Sequence, residues 1–222
     1  EMSSSEKLIE VKDLCKSFDL FSGAFARKDK NVFAVNTVSF SINRGETYGI
    51  VGESGCGKTT TARMLIKMYK ATSGSILYYN NDGTVTDISR LNKKQTKIYQ
   101  ETVKYIFQDP AKSLNPRMNV LTVVTDGLKY SSKKLSKEQI LQRAKKAIVD
   151  VGLREEDLYK RPAEFSGGQR QRISIARGLV LDPEFLICDE IVSALDVSIQ
   201  AKVLNLLSDL KKNRNLSFLF IT

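Results

Sequence analysis

The sequence reads Gly52-Glu53-Ser54-Gly55-Cys56-Gly57-Lys58-Thr59 directly after the apolar run Tyr48 to Val51, and this stretch decides the fold. Its spacing, Gly-x-x-x-x-Gly-Lys-Thr, is typical of a loop that joins a buried strand to a helix, here predicted over Thr60 to Lys67. Glycines let consecutive backbone N–H groups curl around an anion at the helix N-terminus. The stretch therefore predicts a phosphate-binding loop, and the alternative is a glycine-rich turn that contains Lys-Thr by chance.

The two residues that end this loop have different predicted tasks. Lys58 is suited to bridge the β- and γ-phosphates of a nucleotide, and the hydroxyl of Thr59 is suited to ligate Mg²⁺. Charge-assisted hydrogen bonds contribute about 1.5 to 3 kcal/mol each, so a handful accounts for micromolar to millimolar binding. We expect the nucleotide to contact Gly52, Glu53, Ser54, Gly55, Cys56, Gly57, Lys58, Thr59 and Thr60.

Two carboxylates follow the apolar run Phe185 to Cys188. Such a run is typical of a strand buried in a parallel sheet, so Asp189 and Glu190 are expected at its carboxyl edge, beside the phosphate loop. We expect Asp189 to hold Mg²⁺ through its water shell, and Glu190 to orient or deprotonate an attacking water. The alternative is a strand that ends in two solvated acids.

A second glycine pair lies in Ser166-Gly167-Gly168-Gln169, just before the helical pattern of Ile173, Ala176 and Val180. Bare N–H groups at the start of that helix would point at an anion, so this stretch predicts a second phosphate contact.

Two weaker candidates lie at strand ends. Gln108 closes the run Tyr105 to Phe107 and is a neutral residue able to touch both Mg²⁺ and the attacking water. Phe18 lies beyond the predicted strand Leu8 to Leu14 and could stack on adenine, although an aromatic near a strand end is more often part of a core.

The predicted fold class is α/β, with a P-loop NTPase core around a mostly parallel central sheet, an antiparallel β edge region and an inserted α-helical subdomain. The alternating stretches Leu8 to Leu14 and Val38 to Ile42 indicate the antiparallel region, and Phe218 to Ile221 adds a buried parallel strand. Ser136 and Gln139 form a capping-box pattern before a helical stripe. We expect residues 1–108 and 163–222 to form the core and residues 109–162 the helical subdomain.

Composition excludes several classes of protein. The chain has 222 residues, 41% of them hydrophobic, and no apolar run approaches the roughly 20 residues that cross a bilayer. Three scattered cysteines support neither a disulfide framework nor a zinc site, and the absence of histidine excludes Ser-His-Asp catalysis in this stretch. The net charge of +10 permits nucleic acid, anionic lipid or nucleotide as partner, but the basic residues are scattered, as on a solvated surface.

These motifs together resemble the ATP-binding subunits of ABC transporters. The phosphate loop, a glutamine, the Ser-Gly-Gly-Gln signature, the acidic strand end and Ser193-Ala194-Leu195-Asp196 occur in the family's order. Gln108-Asp109-Pro110 and Ser113-Leu114-Asn115-Pro116-Arg117 look like the branch that imports oligopeptides and dipeptides. The resemblance implies ATP hydrolysis that energises an importer, with ATP and Mg²⁺ bound and peptides as the best substrate hypothesis.

The resemblance also implies partners. A second ATP-binding subunit, identical or homologous, would pair head to tail, so that Ser166, Gly167, Gly168 and Gln169 cover the ATP of the partner and Asp196 lies at the dimer seam. The segment around Gln108 would pass the motion to integral membrane permease subunits, and an extracytoplasmic substrate-binding protein would take part indirectly. We expect a peripheral position on the cytoplasmic face of the membrane and no nucleic-acid partner.

Two departures from the family pattern affect these expectations. Ile191 stands where the family often has proline, and the sequence stops at Thr222, where the family continues into a histidine that contacts the γ-phosphate. We therefore expect this stretch to bind Mg-ATP but to hydrolyse it slowly. Two alternatives stay open: a soluble ABC-type ATPase that acts on nucleic acid or ribosomes, and a nucleotide-binding regulator that never hydrolyses.

Overall fold

The structure is a computed structural model that describes residues 7–19, 31–107, 113–132, 134–193 and 195–222. Its strands, in chain order, are β1 (Lys7–Asp19), β2 (Asn31–Asn43), β3 (Thr47–Ile50), β4 (Ser73–Tyr79), β5 (Val85–Asp87), β6 (Val103–Ile106), β7 (Phe185–Asp189) and β8 (Ser217–Ile221). Its α-helices are α1 (Lys58–Leu65), α2 (Lys93–Thr102), α3 (Val120–Thr125), α4 (Lys137–Asp150), α5 (Gly167–Leu179) and α6 (Val197–Arg214). Short 3₁₀ turns cover Ile88–Arg90, Asp126–Tyr130, Glu155–Tyr159 and Pro162–Glu164.

An antiparallel sheet carries the N-terminal part of the chain. Its strand order is β2-β1-β4-β5, and β1 pairs with β2 on one side and with β4 on the other. The β1 side chains of Leu8, Ile9, Val11 and Leu14 are buried in a hydrophobic core. The predicted antiparallel region is therefore confirmed, but both long strands extend well past the predicted bounds.

A parallel sheet forms the centre of the molecule, with the strand order β3-β8-β7-β6. Ile221 lies opposite Ile50 on β3 and opposite Asp189 on β7, so these strands end at the same edge. All five residues of β7 are buried. The predicted parallel strands are confirmed, and their shared edge brings the phosphate loop after β3 close to the acid that ends β7.

Two hydrophobic clusters pack on opposite faces of this sheet. Phe185 and Ile187 of β7 join the cluster that contains α1 and the antiparallel sheet. Leu186 and Cys188, which alternate with them, join the cluster built by α3, α4, α5 and α6. Because neighbouring side chains of a strand point to opposite faces, β7 contributes to both cores at once.

The stretch between residues 113 and 164 contains helices in the part that the structure describes. Helix α4 is capped by Ser136, whose hydroxyl accepts from the backbone N–H of Gln139, while the Gln139 side chain accepts from the N–H of Ser136. The chain leaves α4 through Gly152 at a φ of 73°. The capping box predicted this helix correctly, whereas the subdomain boundaries at 109 and 162 stay a prediction.

Several elements were not predicted from the sequence. They are β4, β5 and α2, which form the stretch between α1 and β6. Helix α2 packs on the end of α1, where Tyr99 donates from its hydroxyl to the Leu65 carbonyl at 2.6 Å and Gln100 donates to the Ile66 carbonyl at 2.8 Å. Over the described residues, no helix combines the length and the apolar character needed to cross a membrane.

Candidate nucleotide site

The phosphate loop has a backbone that requires glycine. Gly55 and Gly57 adopt φ values of 82° and 97°, in the left-handed region that side chains with a Cβ rarely occupy. A Cβ on Gly57 would also lie 2.1 Å from the carbonyl oxygen of Ala34 in β2. The loop is therefore held close against the antiparallel sheet, and α1 begins directly after Gly57.

Lys58 lies across this loop rather than reaching into solvent. The residue is 9% exposed, and its ammonium group donates to the carbonyl oxygens of Gly52 at 2.5 Å and Glu53 at 2.9 Å. These two contacts hold the charge over the backbone that is expected to surround a phosphate. A cleft of about 520 Å³ opens beside the loop, lined by Val35, Phe40, Tyr48, Cys56 and Lys58 among others.

Thr59 and Asp189 meet at the carboxyl edge of the parallel sheet. The Thr59 hydroxyl donates to Oδ1 of Asp189 at 3.3 Å, and Asp189 is 7% exposed. A carboxylate and a hydroxyl are hard oxygen donors of the kind that Mg²⁺ prefers, so the residues present fit that ion. Among the described residues, no group of three or more His, Cys, Asp or Glu side chains offers an alternative metal site.

Tyr105 is a site residue that sequence reasoning missed. Its hydroxyl donates to Oδ2 of Asp189, so both carboxylate oxygens accept a hydrogen bond. Burial, followed by the hydrogen bond to Asp189, raises the pKa of Tyr105 well above its ordinary value. Tyr105 lies opposite Ile187, which is two residues before Asp189 on β7. The period of two along neighbouring strands is the signal that could have found it.

Glu190 leaves the sheet in an unusual backbone conformation. Its φ is 46°, while its N–H donates to the Ile221 carbonyl at 3.0 Å. Its carbonyl accepts from both the N–H and the hydroxyl of Ser193. At a positive φ, a residue other than glycine stores roughly 1 to 2 kcal/mol of strain, and surrounding contacts must offset this cost. Such strained residues occur often at functional sites.

The signature forms the beginning of α5. Ser166 caps this helix by accepting from the N–H of Gln169 at 3.3 Å, and the Gln169 side chain accepts from the N–H of Ser166 at 3.0 Å. Ser166 is exposed and Gly168 is buried. Helix α5 packs on the opposite face of the parallel sheet from α1. The chain thus carries the phosphate loop and the signature on different sides of one sheet.

Phe18 has a different setting from the one expected. It lies within β1 rather than beyond the first strand, because β1 continues to Asp19 through its pairing with β2. Phe18 is 38% exposed, and its ring makes an edge contact with Tyr69 at 5.6 Å between centroids. The ammonium group of Lys16 lies 4.8 Å from the ring centroid. Stacking of Phe18 on adenine stays a prediction.

Three other predicted residues differ in their settings. Gln108 lies outside the residues that the structure describes. Asp196 is exposed at the N-cap of α6. Thr60 is half-buried in the first turn of α1, next to the pair formed by Thr59 and Asp189.

The sequence of the chain is similar to those of oligopeptide transport ATP-binding proteins. The chain is 46% identical over 217 residues to the oligopeptide transport ATP-binding protein OppF of Bacillus subtilis (strain 168), covering 98% of this chain and 68% of the relative. It is 44% identical over 221 residues to AppF of the same organism, an oligopeptide transport ATP-binding protein, covering 99% of this chain and 65% of that one. The chain thus spans about two thirds of the length of these relatives.

A solved dimeric structure of a bacterial ABC transporter cassette superposes with a TM-score of 0.79 at 25% identity, covering 97% of this chain and 88% of the other. The sequence profile of the ABC transporter family matches residues 35–193, which hold the phosphate loop, the signature and the acidic strand end. The chain belongs to the ABC transporter family of ATP-binding cassettes.

Proposed function

We propose that this chain is the ATP-binding and ATP-hydrolysing part of a subunit that energises an ABC importer for oligopeptides or dipeptides. The observation that carries the proposal is the contact between Thr59, which ends the phosphate loop, and Asp189, which ends β7. This contact joins the expected phosphate cradle to an acidic group at one sheet edge. The peptide substrate is proposed because the relatives OppF and AppF are oligopeptide transport ATP-binding proteins.

Each residue of the site has a proposed task. Lys58 would exchange its contacts with the Gly52 and Glu53 carbonyls for β- and γ-phosphate oxygens of ATP. Thr59 and Asp189 would hold Mg²⁺, which neutralises charge on the phosphates. Glu190, beside Asp189, would orient or deprotonate the attacking water, and Gln108 would assist from the neighbouring strand end.

The signature would complete the site of a second subunit. Helices α1 and α5 pack on opposite faces of the parallel sheet, which favours a head-to-tail pair over a site formed within one chain. In such a pair Ser166 and the two glycines would contact the γ-phosphate held by the partner, and Asp196 would lie at the seam. Loss of that phosphate would weaken the pair, giving a switch between closed and open dimers.

The proposed place of the subunit is the cytoplasmic face of the membrane, bound to integral permease subunits. The segment around Gln108 would transmit the motion to them, and a substrate-binding protein would deliver the peptide from the other side. The transport function of the relatives supports this proposal over an ATPase that acts on nucleic acid.

The test is a pull-down from membranes with the full-length protein, followed by ATPase and peptide-uptake assays. We expect co-purification of permease subunits and peptide uptake that depends on Lys58, with Lys58→Ala as the inactive control. ATPase activity that nucleic acid stimulates, without permease partners, would replace this function with the nucleic-acid alternative.

A further inference from the structure

The two glycines of the signature have different surroundings. A Cβ on Gly168 would lie 2.6 Å from Cγ2 of Ile199, a distance that real Cβ contacts do not reach. A Cβ on Gly167 would meet nothing closer than Cδ2 of Leu195, at 3.9 Å. Gly168 is therefore required by packing within the chain, because the Cγ2 methyl on the β-carbon of Ile199 occupies the space that a side chain would need.

Ile199 belongs to the first turn of α6 and is tied to the segment that precedes it. Its N–H donates to the Asp196 carbonyl at 2.9 Å. The Gln200 N–H donates to the same carbonyl at 2.8 Å, and the Gln200 side chain donates to the Leu195 carbonyl at 2.9 Å. These bonds fix the start of α6 to its N-cap residue, Asp196, and to Leu195 before it.

The same segment is tied to Glu190. The Leu195 N–H donates to the Val192 carbonyl at 3.1 Å, and Ser193 donates to the Glu190 carbonyl through both its N–H and its hydroxyl. Short contacts thus lead from the end of β7 through the start of α6 to Gly168 in the signature. Helix α6 is itself anchored in the core by Val203, Leu207 and Leu210.

We propose that Ile199 is a positioning residue for the signature. Its Cγ2 methyl seats the N-terminus of α5 on α6, so the stretch that completes the partner's ATP site is held in register with the segment from Glu190 to Asp196 of its own chain. This inference rests on the proposed head-to-tail dimer. It assigns the absence of a side chain at the second glycine of the signature to packing inside one chain.

The test uses the shape of the side chain at position 199. Valine keeps the methyl that meets Gly168, whereas leucine has the volume of isoleucine but lacks a methyl on its β-carbon. We would combine Gly168→Ala with either Ile199→Leu or Ile199→Val in full-length protein carrying Glu190→Gln, and measure ATP-driven dimerisation by sedimentation. Binding of ATP to the monomer, measured separately, reports whether each variant folds.

We expect Gly168→Ala to reduce ATP-driven dimerisation at least about tenfold while the monomer keeps its ATP affinity, because the added methyl overpacks the contact between the two helices. Gly168→Ala/Ile199→Leu should recover most of the loss, and Gly168→Ala/Ile199→Val should not. Equal dimerisation of the two double variants would overturn the role of Ile199.

The protein that carries only Glu190→Gln is the parent of these variants, and its behaviour separates this inference from the proposed function. Dimerisation of the parent with ATP, without recovery in the leucine double variant, contradicts the positioning role alone. A parent that binds ATP but never dimerises contradicts the proposed head-to-tail function, and the positioning role falls with it.

Discussion

The hydroxyl of Thr59 donates to Oδ1 of Asp189 at 3.3 Å, although 130 residues separate them in the chain. Parallel pairing explains the meeting, because β8 lies between β3 and β7 and all three strands end at one edge. The phosphate loop follows β3, and Asp189 is the last residue of β7. The parallel pairing of these strands therefore brings the phosphate loop and Asp189 together at one edge of the sheet.

Replacing Lys58 should weaken ATP binding. Lys58→Ala removes the charge held over the phosphate loop, and a charge-assisted contact contributes about 1.5 to 3 kcal/mol. We expect the dissociation constant for ATP to rise by roughly 10- to 100-fold in equilibrium binding. Lys93→Ala, at the exposed start of α2, is the matched control and should bind as the parent does. Unchanged affinity in Lys58→Ala would contradict the assignment of the loop.

Tyr105→Phe should change the response to Mg²⁺. The substitution removes the hydroxyl that donates to Asp189 and leaves Asp189 freer to turn. We expect the Mg²⁺ concentration for half-maximal ATPase activity, and for half-maximal ATP binding, to rise by a factor of about 10 to 100, as for other supporting contacts around metal ligands.

Tyr99→Phe provides the contrast. The Tyr99 hydroxyl is buried and donates to the Leu65 carbonyl at 2.6 Å, away from Asp189. Loss of this bond should lower the free energy of unfolding by about 1 to 3 kcal/mol in urea denaturation and leave the Mg²⁺ response unchanged. Equal Mg²⁺ curves for both variants would remove Tyr105 from the site.

The side chain and the backbone of Glu190 make contributions that two substitutions can measure separately. Glu190→Gln and Glu190→Gly both lose the carboxylate, so each should hydrolyse ATP at least about 100-fold more slowly while still binding it. Glycine also relieves the strain at a φ of 46°. We expect Glu190→Gly to be more stable than Glu190→Gln by up to about 1 to 2 kcal/mol in thermal unfolding. The opposite order of stability would show that the conformation carries little strain.

Lys104 should make stability depend on pH above neutrality. Burial lowers its pKa from 10.5 to about 8, partly offset by Glu101. The unfolded chain then keeps a proton that the folded chain releases, so stability should rise from about pH 8 towards pH 10.5. Lys104→Met should flatten this rise in urea titrations at successive pH values. An unchanged slope would assign the rise to another group.

The parallel sheet is predictable from the sequence because β7 and β8 are short apolar runs whose side chains enter both cores. Helix α4 is equally predictable from the sequence, since its capping box and its apolar stripe both indicate a helix over the same residues. Helix α2 was missed because its sequence is polar, and its buried residue Tyr99 gives no helical period. Its position depends on contacts with the end of α1, which no local pattern encodes.

The positions of Lys58 in the phosphate loop and of Asp189 at the end of β7 were predictable because each belongs to a clear local pattern, and their chemical tasks stay predictions. Tyr105 was missed because its role comes from the register between β6 and β7, not from its neighbours in sequence. Phe18 was placed outside β1 because the alternating pattern ends at Leu14, where the pairing of β1 with β2 becomes irregular. The packing of Gly168 on Ile199 likewise joins residues from two helices.

Strand β7 is the boundary between the two cores, and the parity of a residue number decides on which side of it a side chain lies. The odd-numbered Phe185 and Ile187 face the helix that follows the phosphate loop, and the even-numbered Leu186 and Cys188 face the helix that begins with the signature. A substitution that shortens one of these side chains therefore opens a cavity in only one of the two hydrophobic cores. In the proposed head-to-tail dimer, an odd position would disturb the chain's own nucleotide first, and an even position would disturb the nucleotide of its partner.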